Sequence, residues 1–208
     1  MEILVRQTEY ARYPRKYTKG PEFTNGAKKV LKENSAAIYD LTGEETIKDE
    51  QRGGRPFVHV DGGRCLLESR SMRSQVAIFL DPTMFYVPNT EDKYLKEQVR
   101  LTEIDAEGLR DKLGLEDIDL IIPVSASTLT ELTFKHLDAT GVWLFGKNYG
   151  FLFARTKNGT NTSGSKVANV GMVPPIEGMV EGLVVNELSS GRGTKLVRVV
   201  RLVIPKMK

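Results

Sequence analysis

"IDLIIPVSASTLTELTFKHLDATGVWLFG", Ile118 to Gly146, decides how the chain is read. The β-branched run "IDLIIPV" fits a strand that ends near Pro123. "STLTELTFKHLD" fits a helix, and Gly141 stops it. "VWLFG" fits a second strand. If the two strands share a sheet, the helix between them is a right-handed crossover.

Downstream, "GFLFART" (150–156) is expected to return across Lys147-Asn148-Tyr149 as a hairpin partner. A polar loop, 157–166, follows. Ile176, Met179, Val180, Leu183 and Val184 recur at helical spacing behind Pro175, against which Gly178 and Gly182 count. "TKLVRVVRLVI" (194–204) reads as one strand stopped by Pro205.

Upstream, Pro14 and Pro21 make residues 8–23 an extended arm after a short strand, 1–7. A helix is expected from about Gly26 to Glu33, capped by Thr24 or Asn25. "AAIYDL" (36–41) is a strand or the continuation of that helix, and "TGEETIKDEQRGGR" (42–55) a charged loop. "PFVHV" and "RCLLES" flank Asp61-Gly-Gly63 like a hairpin. "QVAIFLD", "MFYVPN" and "QVRLTEI" (98–104) read as strands, and a short helix begins at Asp105. The expected fold is α+β: mostly antiparallel sheet, a few short helices, and one β-α-β unit in the C-terminal half. It forms one compact unit over 1–208, or two subdomains, 1–121 with its arm and 122–208.

Composition narrows the function. No apolar run approaches the length of a membrane span, so no membrane partner is expected. No secretory pattern opens the chain, and its one cysteine, Cys65, cannot form an internal disulfide. A reducing, cytoplasmic location follows, or incorporation in a virion if the chain is an assembly subunit. The net charge is only +3 but unevenly spread: residues 1–35 carry eight Lys/Arg and four Asp/Glu, 80–121 five and eleven, 122–208 eleven and five. Basic ends around an acidic middle suit nucleic acid or copies of the same chain as partners.

Two segments, "FTNGAKKVLKENSAA" (Phe23–Ala37) and, more loosely, "QVRLTEID" (Gln98–Asp105), resemble a family of small uncharacterised bacterial proteins. The resemblance implies no activity and no site residues.

The polar loop "KNGTNTSGSK" (Lys157–Lys166) has the glycine spacing of a phosphate-binding loop, but Gly164-Ser165-Lys166 puts its hydroxyl and ammonium in the wrong order. Prolines at 174 and 175 also deny it the following helix. It is expected to be a contact surface with Lys157 and Lys166 at its ends. Ser125, Ser127 and Thr128, where a strand yields to a helix N-terminus, are a candidate anion site, but Ser127 or Thr128 as a plain N-cap needs no ligand and is the better account. Asp81, Glu91 and Lys93 form a loose nuclease-like pattern, better read as a charged helix start. His59 and Asp61, with Cys65 across the turn, could form an acid–base pair, but a hairpin with one polar face is the better account. No cofactor, metal site or catalytic set is expected.

The basic segments are the most coherent feature. Tyr10, Tyr13 and Tyr17 interleave with Arg12, Arg15, Lys16 and Lys19, so rings can stack on bases while cations meet phosphates. Arg192, Lys195, Arg198, Arg201, Lys206 and Lys208 extend the charge at the other end. The expected function is a non-enzymatic binding protein whose basic termini contact nucleic acid. The alternative is a structural assembly subunit, of a virion or other homo-oligomer, that reaches neighbours with its arm and loop 157–166. A metal-dependent nuclease is third.

Overall fold

Thr24 opens the first described element. The computed structural model describes residues 20–145, 152–159, 166–172, 181–191 and 193–206. The Thr24 hydroxyl accepts the Ala27 N–H at 3.1 Å, and helix α1 runs Asn25–Glu33, burying Ala27 and Leu31. Its start and stop agree with the sequence expectation. β1 (Ala36–Thr42) follows as a strand, not as more helix.

Local polar chemistry overrides several strand and loop expectations. Thr46 caps a helix, α2 (Ile47–Arg52), inside the presumed charged loop. β2 (Phe57–Val60) has no hairpin partner at "RCLLES", because Arg64–Glu68 forms α3. β3 (Arg73–Phe79) is as expected. Asp81 accepts the Thr83 N–H and caps α4 (Pro82–Phe85), so "MFYVPN" contributes only a bridge from Tyr86 to Val200. "QVRLTEI" lies inside α5 (Leu95–Leu113), a single 19-residue helix that Gly114 ends at φ 64°. Its buried stripe is Gln98, Thr102, Ala106 and Leu109. Two of these are polar, which hid the helical period.

β4 (Ile118–Ile121) and α6 (Ala126–Thr140, ended by Gly141) stand where the sequence placed them. The described part of "VWLFG", residues 142–145, is not a strand. Its Leu144 and Phe145 are fully buried, and Trp143 tilts against Phe134 at 6.1 Å. The next strand, β5 (Phe153–Gly159), belongs to another sheet, so α6 joins two sheets and is not a crossover within one. β6 (Lys166–Met172) and β7 (Leu183–Ser189) follow. "LVVNEL" is thus strand, where helical spacing suggested helix; the rest of that expectation, 176–180, lies outside the described residues. "TKLVRVVRLVI" splits into β8 (Val197–Arg198) and β9 (Leu202–Pro205).

The sheets are ordered β1-β3-β9-β4, antiparallel throughout, and β2-β7-β6-β5-β8, where β2/β7 and β5/β8 are parallel. The fold is α+β. The chain changes sheets between β8 and β9. α6 packs on β1 of the first sheet and on β5 and β6 of the second. One apolar cluster gathers Val76, Ile78, Leu129, Leu132, Val170, Val185 and Leu202 from both sheets and the helix, on both sides of Pro123.

Candidate functional site

α6 is buried nearly all round, yet it is not apolar all round. A helix so enclosed is ordinarily hydrophobic on every face. Here Ser127, Thr128, Thr130, Glu131, Thr133 and His136 are all at most 5% exposed. Thr130 and Thr133 donate back to the carbonyls of Ala126 and Leu129, one turn earlier. The others reach outward. Thr128 Oγ1 accepts the Met72 N–H at 3.0 Å, Glu131 Oε1 accepts the Thr42 N–H at 2.9 Å, and His136 Nδ1 shares a 2.6 Å hydrogen bond with the Tyr39 hydroxyl. The helix therefore holds the β1–β3 end of the first sheet by polar contacts spaced along one side.

The N-terminus of α6 is built differently from a simple cap. Ser125 is the N-cap residue, not Ser127 or Thr128, and its side chain makes no capping bond. Its hydroxyl donates to the Arg70 carbonyl at 2.7 Å, and that of Ser127 to the Ser69 carbonyl at 2.5 Å. The hydroxyls thus strap segment 69–72 across the helix start and leave the first-turn N–H groups without a side-chain acceptor. Beside them is a cavity of about 350 Å³ lined by Ser69, Arg70, Ser71, Met72, Val124, Ser125 and Thr128. Ser71 is 7% exposed, and its hydroxyl has no hydrogen-bond partner. Arg70 is exposed at the rim. The Thr128 N–H donates to the Ser125 carbonyl at 3.2 Å; the Ala126 and Ser127 N–H groups, a positive dipole end, a spare hydroxyl and a guanidinium together suit an anion.

The polar loop meets this site. The Lys157 N–H donates to the Pro123 carbonyl at 2.9 Å, so the base of the loop lies beside the approach to α6, and the Lys157 side chain is exposed. Lys157–Gly159 end β5 and Lys166 begins β6, its antiparallel partner. A phosphate loop needs strand, loop, then helix; this is strand, loop, strand. Lys166 is exposed and pairs with Glu187 at 3.3 Å.

Other candidates fare variously. Tyr10, Arg12, Tyr13, Arg15, Lys16, Tyr17, Lys19 and Arg192 lie outside the described residues, as do Lys208 and the polar tip 160–165. The described end of the arm lies on the body: the Gln75 N–H donates to the Pro21 carbonyl at 2.9 Å, and the Phe23 N–H to Gln75 Oε1 at 3.0 Å. Lys195 is exposed in the turn before β8. Arg198 lies 5.7 Å from the Tyr86 ring centre and 3.9 Å from Glu91, and Arg201 is buried against Asp105. The Arg201 cation is therefore not available to a partner. Arg155 is fully buried, and burial lowers its pKa. Asp81 is a cap, Glu91 faces Arg198, and Lys93 pairs with Glu97 at 3.5 Å. His59 and Asp61 are exposed, and without a hairpin nothing carries Cys65 across a turn from them; the Cys65 side chain lies outside the described residues. Among the described residues no group of three or more His, Cys, Asp and Glu is placed to hold a metal ion.

A second charged cavity, of about 160 Å³, opens further along α6 between Glu45, Glu50, Arg55, Glu131, Phe134, Lys135 and Asp138. Arg55 grips Asp138 at two points, 2.7 and 2.5 Å, and lies 5.1 Å from the Phe134 ring centre. The bond from Arg55 holds the Asp138 carboxyl below its ordinary range. Burial, and then Glu45, push Glu50 up. Sequence reading missed this cluster. Its members come from two distant stretches, residues 45–55 and α6, and the one available hint was the density of polar residues in a helix that closes between apolar strands.

Comparison of the chain with protein-family models, with curated proteins and with solved structures finds no match in any of the three.

Proposed function

We propose that this is a non-enzymatic binding protein that contacts nucleic acid, with one phosphate seated at the start of α6. The observation that carries it is the turning of the Ser125 hydroxyl away from its own helix, onto the Arg70 carbonyl. That leaves the Ala126 and Ser127 N–H groups for an outside acceptor, the Thr128 N–H being bonded to the Ser125 carbonyl, next to the unbonded Ser71 hydroxyl and the Arg70 guanidinium. Lys157 at the base of the polar loop and the basic arm of residues 10–19 supply further cations for the same backbone. The assembly alternative draws no comparable support, since the described end of its arm lies along β3. Nuclease chemistry would need Asp81, Glu91 and Lys93 together, and each is engaged locally.

Fluorescence anisotropy with a labelled single-stranded oligonucleotide, across a salt series, tests the proposal. Binding should fall steeply with salt. Arg70→Ala should lower the slope of log K against log salt by about 1, and the triple change of Arg12, Arg15 and Lys16 to Ala by about 2. Absence of measurable binding at low salt would refute it. Unchanged binding in Arg70→Ala and Ser71→Ala would move the contact away from α6.

A further inference from the structure

Glu131 is the most unusual buried group in the described chain. It is 1% exposed. Its Oε1 is served twice: by the Thr42 N–H, and by Lys135 Nζ at 3.6 Å. Its Oε2 is equally buried and has no hydrogen-bond partner. A carboxyl oxygen held out of water without a partner is costly, and native structures ordinarily give such an atom one. Glu131 lines a small charged cavity, and a donor can reach its carboxyl from there.

The surroundings specify the donor. Glu45, Glu50, Glu131 and Asp138 outnumber Arg55 and Lys135 on the wall, so the cavity favours a cation. The two wall cations are already committed. Arg55 is held by Asp138 and Glu50, and Lys135 by the other Glu131 oxygen. A metal ion would need several carboxylates converging on one point, and the described residues offer no such group. At about 160 Å³ the space is too small for a nucleotide but takes an alkyl chain with a charged head. Only one carboxylate oxygen of Glu131, the buried Oε2, is without a partner. A guanidinium fork matches two oxygens, whereas an ammonium is a point donor that matches one. Phe134 gives the stem an apolar wall.

We propose that this cavity is a binding site for the primary ammonium group of a small ligand, anchored by Glu131 Oε2. The site is separate from the anion pocket at the start of α6 and does not depend on nucleic-acid binding.

Isothermal titration of the full chain with putrescine and with agmatine, at low ionic strength and pH 7.5, tests it. Putrescine should bind saturably, and agmatine, which also carries one primary ammonium, should bind through that end. Glu131→Gln, which keeps shape and removes charge, should weaken putrescine by about tenfold or more while the melting temperature holds. No saturable putrescine binding to the unaltered protein, or equal affinity in Glu131→Gln, would overturn the site. Agmatine guanidinium bound in preference to an ammonium would overturn the choice of ligand. If Glu131→Gln does not fold, the unaltered protein labelled with carbon-13 glutamate decides: the Glu131 carboxyl resonance moves on putrescine addition if the site is real and stays fixed if it is not.

Discussion

Arg201 grips Asp105 at two points, Nε to Oδ2 at 2.7 Å and Nη2 to Oδ1 at 2.8 Å, while its Nη1 donates to the Met84 carbonyl at 2.8 Å. The pair ties α5 to the chain just before β9, with Arg201 only 7% exposed. Removing one partner strands the other charge out of water. Asp105→Ala should therefore cost about 3–5 kcal/mol in urea unfolding. A loss below about 1 kcal/mol would show that the pair contributes little.

His136 should make stability depend on pH. Burial lowers its pKa below the ordinary 6.5, and as a neutral ring its Nδ1 can accept the Tyr39 hydroxyl proton. The unfolded chain takes up a proton near pH 6.5 while the folded ring stays neutral. The contribution is complete above that pH and is lost as pH falls through the folded value. The melting temperature should drop between pH 7.5 and 5, and His136→Gln should flatten the drop. Asp138, held by Arg55 below its ordinary 3.8, titrates beneath this window and does not confuse the result. Parallel pH curves for the two proteins would rule the mechanism out.

Gly43 sits at the turn that leaves β1, with φ +72°. A Cβ there would lie 2.6 Å from the Arg73 Cβ. Both the left-handed backbone and the contact oppose any side chain. Gly43→Ala should destabilise by about 1–3 kcal/mol. It should also loosen Arg73, which donates to the Thr42 carbonyl and to Glu44, detectable as faster amide exchange at that end of β1. Unchanged thermal stability would mean that the turn relaxes freely.

Much of the local structure was legible. Thr24 at a helix start, Gly141 at a helix end and the apolar run at β4 are signals carried by a few neighbouring residues, and the chain obeys them. "QVRLTEI" misled because α5 buries Gln98 and Thr102, which periodicity counts as solvent-facing. The Gln98 side-chain N–H donates to the Thr90 carbonyl at 2.7 Å, a partner eight residues away that pattern reading does not see. The helix start at Ser125 to Thr128 was legible as a place, but the directions of its hydroxyls were not. Whether those hydroxyls cap their own helix or strap segment 69–72 depends on where that segment folds.

The sequence by itself determined the class of the fold, the positions of α1, β3, β4 and α6, and the ordering that denies "KNGTNTSGSK" a phosphate cradle. These follow from steric and capping preferences that act within a turn or two of chain. Tertiary structure alone decided which sheet each strand joins, that β2 pairs in parallel with β7, and that the last apolar run crosses from one sheet to the other. It also decided which charges remain at the surface. Arg155 and Arg201 count toward a basic C-terminal half, yet both are buried, because packing from distant segments closes over them. Glu131 became a site candidate for the same reason: its neighbours Glu45, Glu50 and Arg55 are about 80 residues away in sequence and come together only when α6 is enclosed between the two sheets.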